Sequence, residues 1–229
     1  MISLRAMKLK PHGFVAFGIL LASAAFAGDE LPKTVLAGRG KLLVSEDFAK
    51  PVASIEAGTA NKVKRGWRVL SGQWDFSSGA LRGVQLATDG RSAFVVHSLA
   101  FREAVIQFDV RFDGCRQVIF RIQDAKPEHV CSVTIRPDGF SAQKDDHDHT
   151  GPDAAVPFGK AALPIPRGEW KTVLVEIKGA EMAATIGGKS ITGTHPLIAA
   201  EKATIEFVVT GDSASFRNVR MWEAAPKSP

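Results

Sequence analysis

The feature that most constrains this chain is a period of two. Across residues 103–112, Ala104, Ile106, Phe108, Val110 and Phe112 fall on one face, and Glu103, Gln107, Asp109 and Arg111 fall on the other. Successive side chains of an extended strand point to opposite sides, so this pattern describes a strand with one buried and one wet face. The same alternation returns in Val118, Phe120 and Ile122, with Arg121 opposite, and in Cys131, Val133 and Ile135. It returns again in Val173, Val175 and Ile177, in Met182, Ala184 and Ile186, and in Ile205, Phe207 and Val209. Pro137-Asp138-Gly139, Gly179 and Gly187-Gly188 supply the turns. The alternation slips between Phe216 and Val219, which predicts a bulge at Arg217-Asn218. About a dozen short strands must curl or split into two packed layers. The expected fold class is therefore all-β, a two-sheet antiparallel β-sandwich. Residues 144–168, rich in Asp, His, Pro and Gly, read as one long irregular segment, and such segments often carry function.

The N-terminus reads as an address. Arg5, Lys8, Lys10 and His12 precede an apolar run over residues 14–26, which closes on Ala25-Phe26-Ala27. That run is short for a bilayer span and ends in the small-residue pattern of a signal-peptidase site; an uncleaved anchor is the alternative. The expected organisation is a signal peptide over 1–27, a flexible lead-in over 28–40, a single β-sandwich domain over 41–223 and a disordered tail over 224–229. The protein is expected to be secreted or periplasmic, with no transmembrane segment after signal cleavage. The leader holds three of the 29 Lys+Arg and none of the 24 Asp+Glu, so 26 bases face 24 acids beyond it. That near balance, with no basic stripe, gives no case for nucleic acid. Cys115 and Cys131 are the only cysteines. In an oxidising compartment they are a disulfide candidate; two small buried hydrophobes are the other reading.

Three stretches carry a family resemblance. They are Glu46-Asp47-Phe48 with Gly66-Trp67-Arg68-Val69 and Gly72-Gln73-Trp74; Gly168-Glu169-Trp170 leading into 173–179; and Ser215-Phe216-Arg217-Asn218-Val219-Arg220. Over roughly residues 44–223 the chain resembles the concanavalin A-like (laminin G-like) jelly rolls. More narrowly it resembles the secreted 3-keto-disaccharide hydrolases. The resemblance implies a sandwich with a concave, sugar-binding face. Members of the narrower family usually place Asn-Ser-Gly before an apolar pair and an Arg; here the stretch is Cys115-Arg116-Gln117-Val118-Ile119-Phe120-Arg121, which keeps the Arg.

Candidate residues follow from chemistry. Arg121, opposite a buried row, has a fork suited to carboxylates or vicinal hydroxyls, the alternative being an exposed ion pair. Lys144-Asp145-Asp146-His147-Asp148-His149 concentrates imidazole and carboxylate. Lys144 and Asp146 are expected, with Arg121, to contact ligand. His147, His149 and Asp145 are expected to hold a divalent metal ion, since in an extended segment the two imidazoles share a face; a hydrated acidic loop is the alternative. His97, His129 and His195 stand alone. No strand carries two carboxylates at alternate positions, as double-displacement glycoside hydrolysis would need. The chain has no Tyr, and Trp67, Trp74, Trp170 and Trp222 fall where core aromatics are expected. The expected function is a secreted or periplasmic module that binds or processes carbohydrate in the cell envelope. The alternatives are a 3-keto-glycoside hydrolase or lyase using an ion near His147 and His149, and a structural domain with no small ligand.

Overall fold

The alternating rows become strands in the computed structural model, which describes residues 31–49, 52–55, 63–64, 66–77 and 79–227. The expected signal segment and the start of the lead-in lie outside the described residues. The strands are β1 (Gly38–Glu46), β2 (Val52–Ile55), β3 (Val63–Lys64), β4 (Trp67–Ser71), β5 (Gln73–Ser77), β6 (Ala80–Val84), β7 (Ala93–Phe101), β8 (Ala104–Phe112) and β9 (Cys115–Gln123). They continue as β10 (His129–Arg136), β11 (Gly139–Lys144), β12 (Val156–Ala162), β13 (Trp170–Lys178), β14 (Glu181–Ile186), β15 (Lys189–Thr194), β16 (Lys202–Gly211) and β17 (Ser213–Ala225). One sheet runs β15-β14-β13-β8-β17-β6-β5-β2, with β1 also on β17. The other runs β12-β11-β10-β9-β16-β7-β4-β3. Among the described residues every strand pairing is antiparallel, and the two sheets form a sandwich of the concanavalin A-like kind. Among the described residues no helix is long and apolar enough to cross a membrane.

The inner faces meet in one aromatic cluster. Phe207 of β16 lies 5.6 Å from Trp67, 5.0 Å from Phe108, 5.7 Å from Phe120 and 4.2 Å from Phe216, ring centre to ring centre. All five are fully buried, as the alternation requires. The bulge stands where the alternation slips: the β17–β8 register shifts between Arg217 and Arg220, and Asn218 takes a left-handed φ of 51°. The same point is a handover, because the first half of β17 pairs with β6 and the second half with β1.

Several expectations are corrected. The lead-in is not loose up to residue 40. Glu176, buried on the outer face of β13, accepts the backbone N–H groups of Val35, Leu36 and Ala37 at 2.6, 2.8 and 2.9 Å, and β1 begins at Gly38. Ala37 packs with Val105, Leu174 and Trp222. The face of β8 expected to be wet is accordingly covered, and Gln107 and Asp109 are buried. Asp109 is satisfied there by Thr172 at 2.7 Å, Asn218 at 2.8 Å and Arg217 at 3.1 Å. At the other terminus β17 runs to Ala225, past the expected start of the tail.

Residues 144–168 are not wholly irregular: β12 lies inside them and pairs with β11. It is an edge strand with no buried residue, so nothing selected an alternating pattern in it. Trp170 is not a core residue. It is half-buried on the outer face, with the guanidinium of Arg111 4.7 Å and that of Arg217 4.3 Å from its ring centre. The disulfide expectation also fails. Cys131 sits opposite Ile122, at the far end of β9 from Cys115, and both thiols are free and buried. At about 3.3 Å per residue the separation is roughly 20 Å, far beyond the ~7 Å that a bridge tolerates. Burial, with Asp113 beside it, pushes the Cys115 thiol up to about 12, and burial raises Cys131 as well.

Candidate functional site

Antiparallel pairing lines up a polar row on the outer face of the second sheet. Ser132 of β10 faces Arg121 of β9, Arg121 faces Glu206 of β16, Glu206 faces Val96 of β7, and Val96 faces Arg68 of β4. Arg121 Nη1 donates to Glu206 Oε2 at 2.8 Å, and its Nε lies 3.4 Å from Asp145 Oδ2 without hydrogen-bond alignment. Asp145 is itself held by Ser132 Oγ at 2.7 Å and Gln143 Nε2 at 2.6 Å. A guanidinium is thus flanked by two buried carboxylates. Burial outweighs Arg121 and pushes the Glu206 carboxyl above its ordinary range, with the charge of Asp145 adding to the rise.

This row borders a hollow of about 420 Å³. Leu70, Phe94, Ile119 and Val208 give it apolar walls, and Arg91, Gln117, Arg121, His129, Glu206 and Thr210 give it polar ones. The Arg91 guanidinium lies 5.3 Å from the Phe94 ring centre, and its Nη2 donates to the Leu70 carbonyl at 2.7 Å. Such a mixture of apolar walls with a few fixed polar groups is the usual make-up of a small-ligand site. A second hollow, of about 380 Å³, lies at the β10–β11 turn near Arg136, Asp138 and Lys160 and holds no expected site residue.

His129 is lowered to about 4, first by burial and then by Arg121, with His149 adding to the fall and Asp145 and Asp146 opposing it. Because this base binds its proton less well folded than unfolded, its contribution to stability is present above pH ~6.5 and is lost as pH falls towards about 4. A His129→Gln variant should therefore lose less stability than the parent between pH 6.5 and 4. Urea midpoints across that window measure the difference, and parallel curves would contradict the assignment.

The structure splits the expected site residues. Arg121 lines the hollow, and Asp145 stands against Arg121 without lining it. Lys144 does not reach it: one position along from Asp145, it turns to the other side of β11. There its Nζ donates to the carbonyls of Asp153 and Ala154 at 2.5 and 3.2 Å while 2% exposed. It fastens a loop rather than contacting ligand. The expected ion site of His147, His149 and Asp145 does not assemble, because the segment is turned rather than extended. His149 has a left-handed φ of 61°, and its ring packs edge-on against His129 at 4.6 Å. His147 points instead to Asp124 and Glu128, while Asp146 groups with Asp148 and Asp153. Either group has ligand atoms within 4.8 Å of one another and could hold a metal ion. Sequence reasoning missed Glu206 and His129. Glu206 was legible as the outward residue between Ile205 and Phe207; His129 carried no local signal, since its place depends on the neighbouring strands.

No known family profile matches the sequence, and no curated protein matches it. Solved structures do resemble the fold. A laminarinase from Rhodothermus marinus is 11% identical with a TM-score of 0.60, covering 81% of this chain and 98% of its own. An endo-β-galactosidase from Clostridium perfringens that releases GlcNAcα1-4Gal is 11% identical with a TM-score of 0.58, covering 85% and 66%. A carbohydrate-binding module from Bacillus subtilis is 14% identical with a TM-score of 0.56, covering 69% and 96%. At these identities the likeness is one of fold: the chain shares the architecture of the concanavalin A-like jelly rolls, and the narrower resemblance to the 3-keto-disaccharide hydrolases rests on the sequence motifs.

Proposed function

We propose that this protein is an exported carbohydrate-binding β-sandwich module whose site is the hollow over β9, β16 and β7. The observation that carries the reading is the pairing, in one hollow, of the Phe94–Ile119–Val208 surface with the Arg121–Glu206 pair. A sugar ring has an apolar face of C–H groups and an edge of hydroxyls, each both donor and acceptor. The apolar wall suits the face; the remaining N–H groups of Arg121 and Arg91, with Gln117 and Thr210, suit the hydroxyls. The fold shared with a carbohydrate-binding module and with two enzymes named for glycan substrates supports the class of ligand. Export rests on the leader-like residues 1–27, and the mass of the N-terminal peptide recovered from the producing cell tests it.

Phe94→Ala and Arg91→Ala, both on the hollow's rim, should each weaken oligosaccharide binding about tenfold, or ~1.4 kcal/mol, with the melting transition retained. Calorimetry against a panel of neutral and acidic oligosaccharides measures this. A flat response of the parent protein across the panel would remove the reading. A second reading, carbohydrate processing, is favoured by Glu206, whose raised carboxyl beside Arg121 is a proton-donor candidate. In that case turnover of 3-keto-glucosides should be present in the parent and lost in Glu206→Gln.

A further inference from the structure

We propose that Asp124, Glu128 and His147 form a binding site for a zinc-class divalent cation beside the hollow. His147 Nε2 lies 3.1 Å from Asp124 Oδ2 and 3.4 Å from Glu128 Oε2. Two carboxylates therefore converge on one imidazole nitrogen, which has at most one hydrogen to offer them. A shared cation satisfies all three atoms at once. The spacing suits it: tetrahedral zinc with bonds of about 2.0–2.1 Å has ligand–ligand edges of about 3.3 Å. Calcium is a poorer fit, since it takes six to eight oxygen ligands and here one donor of three is nitrogen.

The ligands are held before any ion arrives. Asp124 Oδ1 accepts the backbone N–H groups of Lys126 at 2.8 Å and Glu128 at 3.1 Å, which leaves Oδ2 for the site. The His129 N–H donates to the His147 carbonyl at 2.9 Å, fixing the two ligand-bearing segments to each other. All three side chains are between 17% and 27% exposed, so solvent reaches the site and a fourth position is open to water. The all-carboxylate group of Asp146, Asp148 and Asp153 lacks an imidazole and is not assigned a role. An ion at His147 would brace the segment carrying His149, whose ring packs against His129 in the wall of the hollow. Cation binding is measured without sugar, so it stands or falls separately from the carbohydrate reading.

The test is calorimetric titration of tag-free protein with Zn²⁺ near pH 7, with the melting midpoint followed in parallel. The expected result is one equivalent bound at micromolar or better affinity, with a midpoint raised by several degrees. Glu128→Gln and His147→Ala should each weaken binding about tenfold or more while melting cooperatively without zinc, and Asp148→Asn and His149→Ala should bind as the parent does. No stoichiometric binding by the parent overturns the proposal. So does parent-like binding by His147→Ala, which would mark an adventitious ion only.

Discussion

Replacing Arg121 with Ala is expected to lower the unfolding free energy by about 3–5 kcal/mol at neutral pH, the range for breaking a buried ion pair by deleting one partner. The side chains of Glu206 and Asp145 are 3% and 7% exposed, and Arg121 is the cation that both face. Without it, two buried carboxylates are left with no guanidinium between them. The deficit should shrink on acidification. Burial holds the Glu206 carboxyl above its ordinary range in the folded state, so taking up a proton there favours the folded protein. That contribution is complete below the ordinary carboxylate range and is lost as pH rises through the raised folded value. Combining Arg121→Met with Glu206→Gln and Asp145→Asn should recover most of the loss, since no unpaired charge remains. Urea unfolding at neutral and acidic pH reads all three statements. A neutral-pH deficit under about 1 kcal/mol would mean that the triad is solvated like an ordinary surface pair.

Phe207→Ala is expected to cost about 3–5 kcal/mol as well, but by another mechanism and without pH dependence. Phe207 touches rings from both sheets, Trp67 and Phe120 on its own side and Phe108 and Phe216 on the other. Truncation leaves a cavity that neither sheet can close without breaking its ladder, so relaxation is small. Phe207→Leu, which keeps most of the volume, should cost markedly less. The two substitutions compared by denaturant midpoint, with the slope unchanged, separate cavity formation from a change in the unfolded chain. Equal effects from Ala and Leu would argue that ring volume is not what holds the sheets together.

The two predictions draw on sides of the molecule that were unequally readable. Phe207 announces itself locally: Ile205, Phe207 and Val209 recur at every second position, and burial of one face forces the recurrence. The bulge at Arg217-Asn218 was legible for the same reason, because an inserted residue breaks the period. β12 was not, since an edge strand without a buried face leaves no period to read. Trp170 misled because size suggests burial, whereas its partners are Arg111 across the ladder and Arg217 beyond it. The Lys144–His149 stretch misled because its reading assumed an extended backbone. The turn at His149 sends His147 to a loop more than twenty positions earlier in the chain, and strand parity sends Lys144 away from Asp145.

What the sequence determined by itself is which residues of the regularly alternating strands face the core, and with it the two-layer antiparallel fold. That choice needs only the two-residue repeat of extended backbone and the cost of leaving apolar surface in water. What only the tertiary structure decided is which outward-facing groups become neighbours. Arg121, Asp145 and Glu206 meet through the register of separate strands, as Asp124, Glu128 and His147 meet through two loops. Register and loop closure are set by the whole packed sandwich, so no local pattern encodes them.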